Sequence, residues 1–149
     1  MTLKQWLGIV IGGLLPAVFL GLSGVLQKTA SRTGIAPGVY LLIIGGVVAV
    51  VGVVVSLVQR DASLSASGAI QTAGFAILWS IGILGIMFGL GRFEGQVSVI
   101  VPLYNMNTLV AVGIGLVLLG EWRDVNLPRL LAGAALIVVG GVLAGTSVK

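Results

Sequence analysis

The sequence has no cysteine and no histidine, and only four acidic residues against eight basic ones. Without thiols there is no disulfide framework, no thiolate nucleophile and no cysteine metal site. Without imidazole the commonest metal ligand and neutral-pH general base is missing too. No nucleophile stands beside a base and no set of metal ligands is present, so neither an enzyme nor a cofactor is expected. The basic residues are spread singly over the chain, whereas a nucleic-acid footprint needs a clustered basic face.

Charge is scarce altogether: 8% of residues are charged and 58% are hydrophobic, a balance outside that of soluble globular domains. The few charges cut the chain into uncharged stretches of 23 residues (5–27), 27 (33–59), 30 (62–91), 26 (95–120) and 19 (130–148). A helix needs about 20 apolar residues to cross the hydrocarbon core of a bilayer. The spacing therefore predicts an all-α integral membrane protein with five transmembrane helices, at roughly 5–27, 37–59, 68–91, 96–120 and 128–147. A β-barrel would alternate lipid-facing and lumen-facing residues, but "YLLIIGGVVAVVGVVVSLV" is apolar on every side.

The first apolar run follows Lys4 as a signal peptide would, yet it is longer than a signal core of about 7–15 residues and four more spans follow, so it reads as helix 1. The stretches between spans, "KTASRTGIAP", "RDASLSAS", "RFEGQ" and "EWRDVNLPR", are short loops with turn-forming residues, and Pro37 and Pro128 lie near helix starts. One five-helix transmembrane domain over residues 1–149, with the lipid bilayer as its medium, is the expectation.

Twenty-four glycines lie in this apolar background. Small residues four apart, Gly8/Gly12, Gly13/Ala17/Gly21, Gly85/Gly89 and Gly141/Gly145, suit close helix contact within one bundle or across a dimer. Polar residues inside spans are the more telling set, since each must find a partner or water. On helix 1, Gly12, Pro16, Ser23 and Gln27 share a stripe; on helix 3, Gln71, Phe75, Gly82 and Gly89 do so, and Trp79 belongs to the same span. Ser23, Ser56, Ser80 and Ser98 also fit hydroxyls that bond back to their own helix.

Helix 4 interrupts its apolar run with "PLYNMNT", residues 102–108. Treated as one continuous helix, it directs Tyr104, Asn107, Thr108, Ala111 and Gly115 one way and Ser98, Pro102 and Asn105 the other. Pro102 removes a backbone bond and predicts a kink, with Pro16 the corresponding hinge in helix 1. Two readings of the asparagines stay open: interhelical hydrogen bonds of about 0.6–2 kcal/mol each, or contact with a substrate. The candidate substrate contacts are Ser23, Gln27, Gln71, Trp79, Tyr104, Asn105, Asn107 and Thr108.

The run "VSVIVPLYNMNTLVAVGIGLVLLGEW" followed by "NLPRLLAGAALIVVGGVLAG" resembles the last two helices of a repeat of the drug/metabolite transporter superfamily, EamA-like branch. The motif lies within about residues 97–145 and Glu121 matches the acid of its "LGE" pattern. The resemblance implies one five-helix repeat, half of a ten-helix transporter whose two inverted repeats enclose a cavity built largely by helices 1, 3 and 4. An antiparallel homodimer of these chains would recreate that arrangement, with other membrane subunits as the alternative partner. Glu121 also reads as a helix-end anchor paired with Arg123 or Arg129.

The small multidrug resistance branch of that superfamily carries a carboxylate within helix 1, where this chain has Leu14 and Leu15. Asp61, Glu94, Glu121 and Asp124 all fall in loops or at helix ends, so facilitated diffusion or exchange is expected in place of proton coupling. The leading expectation is a half-size transporter in the cell (inner, cytoplasmic) membrane that moves a small polar or amphipathic metabolite by alternating access. A non-transporting subunit docked on other membrane chains and a lipid-carrier flippase are the alternatives. Lys4, Arg60, Arg123 and Arg129 fall on one side of the membrane and Lys28, Arg32, Arg92 and Lys149 on the other, an even split that favours neither orientation and suits an antiparallel homodimer.

Overall fold

The computed structural model of the chain describes residues 2–60, 62–123 and 125–147; Asp61, Asp124 and Lys149, which entered the reading of the loops and of orientation, lie outside them. Among the described residues every regular element is helical: α1 (Leu3–Ile9), a π turn (Val10–Leu14), α2 (Leu15–Arg32), α3 (Pro37–Gln59), α4 (Ala66–Leu90), α5 (Val97–Tyr104), α6 (Asn107–Leu118), a 3₁₀ turn (Glu121–Arg123) and α7 (Leu127–Gly145). Five stretches are long and apolar enough to cross a membrane: Leu3–Arg32, Pro37–Gln59, Ala66–Leu90, Val97–Leu118 and Leu127–Gly145. The chain is accordingly of the multi-pass membrane type.

Local chemistry sets the ends. Thr2 and Gln5 form a capping box, the Thr2 hydroxyl accepting the Gln5 N–H at 3.3 Å while the Gln5 side chain accepts the Thr2 N–H at 2.8 Å. Ser65 caps α4 and Asn126 caps α7 through their side-chain oxygens. Pro37 and Pro128 occupy first-turn positions, where their missing N–H costs nothing. Gly34 and Gly120 take φ of +76° and +70° just beyond helix ends, the left-handed conformation that stops a helix at little cost to glycine.

Span 1 runs to Arg32, about a turn past its sequence-predicted end at residue 27. Charge marks where the hydrocarbon ends, whereas the backbone stays helical through "KTASR" until Gly34 turns it.

The described contacts form two compact units, one comprising the chain up to Val25 together with the part from Gly95 onward, the other Leu26–Glu94. In the first, α5 packs on α7. A Cβ at Gly141 would fall 2.8 Å from Met106 Sδ and 3.7 Å from the Pro102 carbonyl, and one at Gly145 would fall 3.1 Å from Leu103, so these two glycines admit α5 at close range. Gly24 of α2 similarly admits Val101, with the Tyr104 hydroxyl beside it.

In the second unit, the Gln27 amide donates to the Ile83 carbonyl at 3.4 Å and Met87 and Leu90 are buried. Helix α3 has no buried residue. Most of its Val, Leu and Ile side chains are exposed, as suits a medium as apolar as themselves, while Leu41 and Ile44 are half-buried toward α4.

Candidate functional site

The fourth span is the most irregular. Pro102 sits inside α5, where it has no N–H for the Ser98 carbonyl. The helix persists for two more residues and then gives way at Asn105–Met106, whose ψ values of −13° and −8° lie near the 3₁₀ and turn region. Backbone bonding tightens there: Met106 N–H reaches Leu103 O at 3.1 Å, Thr108 N–H reaches Asn105 O at 3.2 Å, and Leu109 N–H reaches Met106 O at 2.9 Å.

The Thr108 hydroxyl bonds the same Asn105 carbonyl at 2.9 Å. Asn105, Asn107 and Thr108 are exposed, and among the described residues neither asparagine side chain has a hydrogen-bond partner. Two amides thus stand open near the middle of a 22-residue span.

Burial differs along the stripe projected from sequence. Tyr104 is half-buried and Gly115 is buried against the Glu121 carboxylate, whereas Asn107 and Thr108 stay exposed, so residues projected onto one stripe meet different surroundings. Thr108 lines a shallow groove of about 230 Å³ with Leu109, Val112, Leu130, Gly133 and Ile137.

Span 1 carries a second irregularity. The Leu15 N–H reaches back five residues to the Val10 carbonyl, closing a π turn directly ahead of Pro16. Pro16 offers no N–H to Gly12, and the widened turn, flanked by side chains too small to resist it at Gly12 and Gly13, accommodates that gap. Gln5, Gly8, Ile9, Gly12 and Gly13 line an open depression of about 620 Å³ beside it. Gly8, Gly12 and Gly13 have nothing within 4 Å of a would-be Cβ.

The remaining candidates are dispersed. The Ser23 hydroxyl bonds back to the Leu20 carbonyl at 2.8 Å, the helix-directed role open to a membrane serine. Gln27 is buried on Ile83, and Gln71 bonds Ser67 at 3.3 Å on an exposed face of α4. Trp79 lines a groove of about 370 Å³ between α3 and α4 with Leu41, Gly45, Val48, Phe75 and Ser80. Ser23, Tyr104, Asn105, Asn107 and Thr108 therefore belong to the first unit, and Gln27, Gln71 and Trp79 to the second.

Glu121 turns toward Gly115, and Arg123 lies over the Trp122 ring at 5.0 Å, an arrangement other than the expected carboxylate–arginine pair. Sequence reasoning passed over Met106, whose sulfur fills the notch at Gly141, and Gln5 beside the π turn. Neither carries a charge or spacing signal. Among the described residues no group of three or more acids or other metal-ligating side chains converges. No family model, curated protein or solved structure matches this chain.

Proposed function

We propose that the chain is half of an EamA-like transporter of the drug/metabolite superfamily, assembled as an antiparallel homodimer in the cytoplasmic membrane and moving a small polar or amphipathic metabolite by alternating access. The observation that carries this reading is the pair of open amides, Asn105 and Asn107, at the broken centre of span 4. Unpaired amides in hydrocarbon are costly, so in the assembled protein they face water, a substrate or a second chain. Interrupted helices near mid-membrane are a recurring way to build a substrate site and to let one half rock against the other. The π turn ahead of Pro16 gives span 1 an irregularity of the same kind.

The four acids lie outside the apolar interior of the spans, which supports facilitated diffusion or exchange.

Uptake of a panel of small polar metabolites into proteoliposomes tests the proposal. Wild-type protein should transport at least one of them at a rate indifferent to collapse of the pH gradient, and Asn105→Leu or Asn107→Leu should lower that rate about tenfold, as expected for loss of one substrate hydrogen bond. Wild-type rates in both variants would remove the substrate role and leave interhelical packing. Isolation as a single copy bound to unrelated chains would favour a non-transporting subunit docked on other membrane chains.

A further inference from the structure

The second unit contains a polar cavity that the transport reading leaves unused. It opens where α2 and α4 end, measures about 480 Å³, and is lined by Lys28, Ser31, Arg32, Leu90, Gly91 and Glu94. Five alternating crossings would bring the ends of α2 and α4 to one surface, where lipid headgroups lie.

The cavity is built from particular contacts. Lys28 donates to the Leu90 carbonyl in the last turn of α4, setting an ammonium at the negative end of that helix. Ser31 lies against Gly91, where a Cβ would fall 3.3 Å from Ser31 Cβ and 3.1 Å from the Met87 carbonyl. The Glu94 N–H donates to the Gly91 carbonyl at 3.3 Å, and the Phe93 N–H donates to the Phe88 carbonyl at 3.1 Å. These bonds hold Glu94 at φ 54°, a left-handed conformation that glycine adopts without strain and residues with a Cβ resist. A carboxylate is thus kept at a turn where its side chain is a conformational liability.

Lys28 and Arg32 are four residues apart, on one face of α2, and Glu94 enters the same cavity from the turn after α4. A simple anion meets two attractive charges and one repulsive charge. A group carrying both a phosphate and a primary ammonium, whose N–H groups can donate to the carboxylate as a quaternary ammonium cannot, matches all three. Exposed Leu26 and Phe88, on the helix turns leading from the cavity toward the hydrocarbon, supply surface for acyl chains.

We infer that this cavity holds the headgroup of a phosphatidylethanolamine-type lipid, with its phosphate against Arg32 and Lys28 and its ammonium against Glu94. The inference concerns lipid retention and stands apart from any transported substrate.

Native mass spectrometry of the full chain, in mixed micelles containing phosphatidylethanolamine, phosphatidylglycerol or phosphatidylcholine, tests it. The wild type should retain the ethanolamine lipid about three- to five-fold more strongly than the other two, the size expected of one partly exposed ionic contact. Glu94→Gln should abolish that preference, and Arg32→Gln should weaken all three lipids by a similar factor. Glu94→Gly serves as a second variant, since it relieves the backbone strain and should lose the preference while the protein unfolds at a higher temperature. An unchanged lipid ratio in both Glu94 variants overturns the inference, as does a wild type without preference. Free phosphoethanolamine should compete poorly; if it binds as tightly as the lipid, the site belongs to a soluble ligand and the lipid assignment fails.

Discussion

Gly141 illustrates how one absent side chain decides a contact. A Cβ there would fall 2.8 Å from Met106 Sδ, closer than real Cβ atoms approach, and 3.0 Å from Met106 Cγ, so the Met106 side chain would have to leave its place. We expect Gly141→Val to destabilise the protein by about 1–3 kcal/mol, the usual range for overpacking. Gly46→Val, at a position with nothing within 4 Å, should change little. Thermal unfolding in detergent micelles compares the two, and equal effects would mean that glycine's backbone freedom outweighs the packing. The four-residue spacing of Gly141 and Gly145 was visible in the sequence and does mark a contact face. Gly8 and Gly12 have the same spacing, yet neither has a neighbour within 4 Å. Spacing defines a face on one helix but carries no information about what lies opposite. Glu121 is a similar case: its charge suggested an arginine partner, while its carboxylate rests on Gly115, a contact that no charge pattern encodes.

At the scale of the element, the five spans were legible because the requirement for about 20 uncharged residues leaves so few ways to divide the chain. Span 2 matches its expected bounds of 37–59, and the others follow closely apart from the helical extension to Arg32. The irregularities within spans were less legible. Pro102 announces a disturbance, yet the helix persists for two more residues and gives way only at Asn105 and Met106. The π turn at Val10–Leu14 has no periodic signal at all. Pro102→Ala separates the role of the bend from that of the polar residues. It restores an N–H for the Ser98 carbonyl and removes a residue about 3 kcal/mol less favourable than alanine inside a helix, so thermal stability should rise. If the break at Asn105–Met106 shapes the site, uptake should fall in the same variant although every polar side chain remains. Greater stability with wild-type uptake would confine the bend to a structural role.

For the whole molecule, orientation in the membrane decides whether two copies of one chain can assemble as an antiparallel pair. With an odd number of spans the termini lie on opposite sides, so Lys4, Arg60, Arg123 and Arg129 share one surface and Lys28, Arg32, Arg92 and Lys149 the other. Orientation follows the Lys and Arg balance of short loops, and a four-to-four split supplies almost no bias. Lys149 lies outside the described part of the chain; without it the split is four against three, a difference that one substitution can cancel. A population inserted both ways contains both members of an antiparallel pair, and pairing gives the open amides of span 4 a second chain to meet. We therefore expect a compartment-sensitive reporter fused to the C-terminus to give signal on both sides of the membrane. One added lysine between α3 and α4 should shift the population one way, and one added between α2 and α3 should shift it the other. Signal on a single side, unmoved by either lysine, would mean a fixed topology and would overturn the antiparallel homodimer.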